Sequence, residues 1–219
     1  GFVGIGNMGL PMADKLIVRT IPTIQGIVAG LRDGSVDIAS FRSDPDAPAL
    51  LQGIPNVEVV RQQVTNYSQM IVNTKGENKA LHDKRVRQAL AWAIDRRKVL
   101  DFAFAGNGTE TLGFTHYGFL DDSKLKINHR DVGKAKQLLA EAGASNLAIT
   151  VLYSTSDQAR RLIAEVIKSN LEEAGVKVSL EGVDQGVWVK RTWGSRPSKF
   201  DMSVAGYSGF ADPLFTAHW

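Results

Sequence analysis

Gly4-Ile5-Gly6-Asn7-Met8-Gly9 fits the spacing G-x-G-x-x-G and follows a strand-like Phe2-Val3. Glycines so spaced permit a tight turn in which backbone N–H groups approach a pyrophosphate at a helix start, which makes Gly4, Gly6 and Gly9 candidate dinucleotide-binding residues. The pattern also needs an adequate helix, a second strand, and an acid or Arg for the ribose about 20 residues on. Here Ala13 leads into a strand-like Leu16-Ile17-Val18 and then Pro22, and the positions for the acid hold Ile24, Gln25, Gly26 and Ile27. Other chemistry-bearing residues are sparse. The absence of cysteine excludes disulfides, thiolate metal sites and a cysteine nucleophile. His82, His116, His129 and His218 never stand three or four apart, so no metal-ligand spacing arises. Gly206-Tyr207-Ser208-Gly209 lacks one spacer of a nucleophile elbow. Carboxylates are plentiful, but none forms a recognisable catalytic pair. Apart from the glycine motif, the expectation is no enzyme, no metal and no cofactor.

The elements that must position such residues belong to an ordinary globular chain. It has 219 residues, 43% hydrophobic and 22% charged, enough for one large domain or two small ones. The net charge of +3 is spread among interspersed signs, so no nucleic-acid footprint is present. The basic clusters Arg96-Arg97-Lys98 and Arg160-Arg161 fall in helical patterns and read as solvated faces. No apolar run is long enough for a transmembrane helix. No basic n-region precedes an apolar stretch, so no signal peptide is expected within these residues, and both ends read as cut.

Strand and helix patterns alternate along the chain. Strands are expected at 2–5, 15–20, 36–39, 57–60 and 70–72, with a helix from Pro22 stopped by Gly34 and a helical turn at 47–51. One long helix is predicted over 84–104, with Val86, Leu90, Ala93, Ile94 and Leu100 on its apolar face, followed by a long loop over 106–128. A helix over 131–142 stops at Gly143. Then come strand 148–153, helix 157–174, strand 177–180, helix 185–193 and strand 201–205. This β-α-β-α-β order implies an α/β layer with a largely parallel sheet.

Two resemblances stand on specific residues. The run from Gly1 to Ala13 resembles the opening of 3-hydroxyisobutyrate dehydrogenases and related β-hydroxyacid dehydrogenases, which implies an NAD(P)-dependent alternative; the later motifs of that family are not found. From Asp14 onward the chain resembles bacterial extracellular solute-binding proteins of family 5, the oligopeptide/dipeptide-binding type. Leu31 to Ala39 is similar to its L-x-x-G-x-V-D-I-A segment, and Asn73-Thr74-Lys75 to its N-T-K strand. Asp83 to Arg96 is similar to D-x-R-V-R-Q-A-L-x-x-A-I-D-R, and Ala135 to Gly143 to A-K-x-L-L-A-E-A-G. Phe200-Asp201-Met202 and Gly206-Tyr207-Ser208-Gly209 are similar to its F-D-M and G-W-S-G pieces. These motifs follow family order over most of the chain.

That resemblance implies a truncated lobe of the periplasmic-binding-protein type II fold. Residues 1–75 would comprise the glycine-rich segment, a remnant of the first lobe and the hinge approach; residues 76–219 would form the second, ligand-facing lobe. It implies a monomeric solute-binding component of an ABC importer, periplasmic or extracellular, lipid-anchored in Gram-positive relatives. Its partners would be the importer's membrane subunits and a peptide-like or other small polar ligand. The implied ligand-binding residues are Tyr207, Ser208, Gly209 and Asp212, with Phe114, Tyr117 and neighbouring His116 in the long loop and Trp188 on a helix. Peptide-binding relatives carry an Asp in the motif around Tyr207 that pairs with the ligand's amino group, and this chain lacks it, reading Gly206-Tyr207-Ser208-Gly209-Phe210-Ala211-Asp212-Pro213. Tyr207 could instead pack at a strand end, Asp212 cap a turn before Pro213, and Trp188 belong to the core.

Overall fold

The computed structural model describes residues 17–21, 23–40, 47–60, 66–110, 129–195 and 198–208. The chain divides into two compact units. The smaller holds helices α1 (Ile24–Asp33) and α2 (Ala47–Leu51). The Thr23 hydroxyl accepts from Gly26 N–H at 3.2 Å to start α1. Gly34 ends α1 at φ 75°, a left-handed conformation that glycine reaches without a Cβ clash. Val28, Leu51 and Ile54 form a small core. Residues 17–20, 36–39 and 57–60, expected as strands, carry no strand structure. A strand exists only where a neighbour shares its ladder, and none pairs with them among the described residues. Ile17, Val18 and Ile38 are accordingly 82%, 75% and 84% exposed.

The larger unit is built on a four-stranded sheet. Its elements run β1 (Asn66–Val72), a 3-10 turn (Lys79–His82), α3 (Lys84–Ala93), α4 (Arg96–Phe104), α5 (Val132–Glu141), β2 (Ala148–Ser154), α6 (Gln158–Glu173), β3 (Lys177–Val183), α7 (Gln185–Val189) and β4 (Met202–Ser208). The strand order is β1-β4-β2-β3. β2 runs parallel to both β3 and β4, while β1 lies antiparallel on β4. The largely parallel α/β layer expected from the sequence is present, with β1 as its antiparallel edge.

Among the described residues, aspartate starts each of the five α-helices of this unit. Asp83, Asp95, Asp131, Asp157 and Asp184 each accept from a backbone N–H in the first turn, at 2.7 to 3.0 Å. Glycine stops two of them: Gly143 and Gly175 adopt φ 68° and 91°. The next N–H then bonds back, Ala144 to Leu139 and Val176 to Leu171.

The single helix predicted over 84–104 is two helices. Ile94 leaves helical geometry with ψ 126°, and Asp95 caps a new start. Groups from elsewhere satisfy the break. Asn170 Oδ1 on α6 accepts from Asp95 N–H at 2.7 Å, and Arg130 Nε donates to the Ala93 carbonyl at 2.9 Å. The helix predicted over 185–193 is also shorter: α7 passes into a wide π turn, Lys190–Gly194. There Thr192 Oγ1 donates back to the Trp188 carbonyl at 2.8 Å.

The sheet is covered on both faces. Val151, Ile149, Met202 and Val204 meet the helices carrying Val86, Leu90, Ala135, Leu139, Ile163, Ile167 and Leu171. Leu152 and Ala205, with Ile71, pack on Trp188 on the other face. Leu152 is fully buried, so Leu152→Ala is expected to cost about 2–5 kcal/mol through transfer and cavity terms. Asp95→Ala should cost about 1 kcal/mol through the lost cap. Urea unfolding monitored by circular dichroism checks both, as lower midpoints with an unchanged m-value.

Candidate functional site

Three parallel strands end on the same side of the sheet, at Ser154, Val183 and Ser208. In open α/β sheets ligands settle at the carboxyl ends of such strands, because the turns that follow present side chains and helix starts. Two turns meet there: Thr155–Asp157 leads into α6, and Asp184 leads into α7.

The polar groups of these turns form one network, centred on Arg160. Its position on α6, in a basic pair with Arg161, suggests a solvated side chain. The structure corrects this for Arg160: its side chain is only 16% exposed, against 48% for Arg161. The guanidinium carbon lies 4.9 Å from the centre of the Trp188 ring, a cation–π arrangement. Arg160 Nη1 donates to Gln185 Oε1 at 3.3 Å, and the same oxygen is 3.5 Å from Ser156 Oγ, which lies 2.9 Å from Ser154 Oγ. Asp157 Oδ2 approaches Arg160 Nε at 3.6 Å, an ion pair too long for a hydrogen bond. That buried Nε makes no hydrogen bond. The guanidinium is thus supported from below and held on one side, but its donors are incompletely used.

Gly206 lies beside this arrangement: a Cβ there would stand 3.9 Å from Arg160 Nη2, an ordinary van der Waals contact. Trp188 is the platform. It is 4% exposed, its Nε1–H donates to buried Ser203 Oγ at 3.0 Å, and the Trp193 ring meets it edge-on with centroids 6.5 Å apart. β4, which carries Ser203 and Gly206, is pinned at its start. Asp201 Oδ2 accepts from Thr150 N–H at 2.9 Å. Asn73 N–H donates to the Asp201 carbonyl at 2.8 Å, and Asn73 Nδ2 donates to the carbonyls of Ser198 and Phe200 at 3.0 and 2.9 Å.

Of the residues singled out in the sequence, Trp188 lies in this site and is buried beneath Arg160. Tyr207 and Ser208 fall on the last two positions of β4, at the same edge. Gly209, Asp212, Phe114, His116, Tyr117, Gly4, Gly6 and Gly9 lie outside the described residues. Sequence reasoning missed Arg160, Gln185, Ser154 and Ser156; the available signal was their position directly after predicted parallel strands. Elsewhere, a depression of about 390 Å³ lined by Asp95, Arg97, Lys98, Asp101 and Phe102 lies on α4 and shares no residue with this network. Among the described residues, no group of three or more His, Cys, Asp or Glu side chains could hold a metal ion.

The mixed sheet with helices on both faces belongs to the α/β fold of type II periplasmic-binding proteins, of which the chain is a truncated part. The solved structure of the ABC transporter substrate-binding protein CtaP from Listeria monocytogenes superposes with a TM-score of 0.75 at 23% identity, covering 86% of this chain and 39% of that one. Residues 6–218 match the model described as bacterial extracellular solute-binding proteins, family 5 Middle, and the chain belongs to that family. Heme-binding protein A of Haemophilus influenzae is 27% identical over 90% of this chain and 36% of its own length. The oligopeptide-binding protein AppA of Bacillus subtilis is 27% identical over 91% of this chain and 39% of its own. The chain thus spans about two-fifths of the length of the curated relatives it matches. The dehydrogenase resemblance of residues 1–13 is not borne out: the solute-binding family model already takes in Gly6 and Gly9, and the NAD(P)-dependent alternative falls with it.

The Trp188–Ser203 bond should be measurable as an energetic coupling. In a double-mutant cycle of Trp188→Phe and Ser203→Ala, urea unfolding is expected to give a coupling of about 0.5–1.5 kcal/mol, the range for a buried neutral hydrogen bond.

Proposed function

We propose that the protein is the solute-binding component of an ABC importer, and that this chain supplies the second-lobe wall of a cleft that closes on a peptide-like or other small polar solute. It works in the periplasm or the extracellular space as a monomer, delivers its ligand to the importer's membrane subunits, and catalyses no reaction. The observation that carries this reading is the half-satisfied Arg160 guanidinium, backed by Trp188 and placed at the carboxyl edge of the parallel strands. A fixed, water-poor cation with spare N–H donors suits a ligand carboxylate or carbonyl, since charge-assisted hydrogen bonds are the strong ones. The family resemblance adds Tyr207, Ser208, Gly209, Asp212, Phe114 and Tyr117 to the proposed ligand contacts. A ligand that bridges two lobes stabilises the closed state by its better contacts there, which couples capture to delivery. The names of relatives, heme-binding and oligopeptide-binding, support a scaffold that accepts chemically different ligands.

The test is calorimetric titration of the full-length protein with a mixed library of di- to pentapeptides, repeated with Arg160→Gln. Loss of a charged hydrogen-bond donor from a ligand is worth about 1.5–3 kcal/mol, so affinity should fall roughly ten- to a hundredfold. Unchanged affinity in the variant removes Arg160 from the site, and no heat with any peptide rejects the peptide reading.

A further inference from the structure

The register of β1 brings a residue to the site that no motif marks. Tyr67 stands opposite Tyr207, Ser68 opposite Gly206, Gln69 opposite Ala205 and Ile71 opposite Ser203. Alternate residues of a strand share a face. Met70 and Val72 pack on the large helical core, whereas Ile71 packs in the cluster of Trp188, Leu152 and Ala205. Tyr67 and Gln69 therefore lie on the Trp188 face. Because β1 is antiparallel to β4, its first residues lie beside the last residues of β4, and Tyr67 reaches the edge where Arg160 and Gly206 sit. Four strand residues at about 3.4 Å each put Tyr67 about 14 Å along that face from Ile71. The same face thus runs from the buried Trp188–Ser203 contact outward to a tyrosine at the rim.

We propose that Tyr67 is a ligand-contacting residue of this site, and that it makes the site prefer solutes whose flat or aromatic part lies beside the group held by Arg160. The inference rests on the solute-binding reading. A tyrosine ring offers a large rigid face at low conformational cost, and aromatic pairs gain beyond their buried area. The ring is partly buried, and that burial pushes the phenol up from its ordinary range. The competing role, a cross-strand packing residue that only stabilises the β1–β4 edge, makes a different prediction.

The full-length protein and its Tyr67→Ala, Tyr67→Phe and Arg160→Gln variants are titrated with Ala-Ala-Ala, Ala-Ala-Phe and Ala-Ala-Trp, with unfolding midpoints taken in parallel. The wild type should bind the aromatic tripeptides at least fivefold more tightly than Ala-Ala-Ala. Tyr67→Phe should keep that preference, Tyr67→Ala should erase it, and Arg160→Gln should weaken all three peptides alike. Tyr67→Leu, which keeps an apolar side chain without a flat ring, gives the same reading if the alanine variant does not fold. A preference left intact in Tyr67→Ala or Tyr67→Leu, with only the unfolding midpoint lowered, overturns the proposal and leaves the solute-binding reading standing. A wild type that binds all three peptides equally also overturns it. A wild type that binds none rejects the peptide reading and Tyr67 together.

Discussion

Strand β2 sits between two parallel neighbours, and both of its faces are buried: Val151 and Leu152, adjacent in sequence and pointing to opposite sides, are each fully inaccessible. A strand in that position must be covered by two layers, because leaving either face wet would forgo the burial that stabilises the sheet. The two covers are unequal. Helices α3, α5 and α6 build a thick aliphatic layer on one side. On the other, among the described residues, a five-residue helix and its π turn bring Trp188 onto the sheet, with Trp193 edge-on to it and Val183 and Phe200 beside it.

The indole of Trp188 packs on Leu152 and Ala205, and its N–H needs a partner once buried. Ser203 supplies one from β4. The ring's outer face then lies within reach of the first turn of α6, where Arg160 crosses the carboxyl edge of the sheet. A guanidinium so far removed from water would be costly alone. It is held by the ring quadrupole, by Asp157 and by Gln185. Packing on one face of the sheet and polarity at its edge meet at one indole.

Many of the residues that reveal the family act structurally. Asp83 caps α3 and pairs with Arg85, whose Nη1 donates to the Glu141 carbonyl at 2.8 Å; Arg87 donates to the Leu81 and His82 carbonyls. Asn73 and Asp201, 128 residues apart, tie the end of β1 to the start of β4. Such ties set the register, and the register brings Tyr67 beside the end of β4.

The helices and strands of the larger unit were legible because their signals are local. A glycine after two of the helices and the period of apolar residues act within a few positions. The break at Ile94-Asp95 was not legible: Asp95 can cap a helix or ride on one, and Asn170 and Arg130, distant in sequence, decide which. Arg160 was misread for the same kind of reason. One turn of helix looks alike whether its arginine points to water or over an indole 28 positions further on. The strands expected at 17–20, 36–39 and 57–60 did not form because alternation proposes a strand but only a paired neighbour makes one. Sequence alone determined the β-α-β-α-β order of the larger unit, the helix stop at Gly143 and the family. Tertiary structure alone decided which side chains converge, because a binding site is a set of contacts between segments that local patterns cannot place side by side.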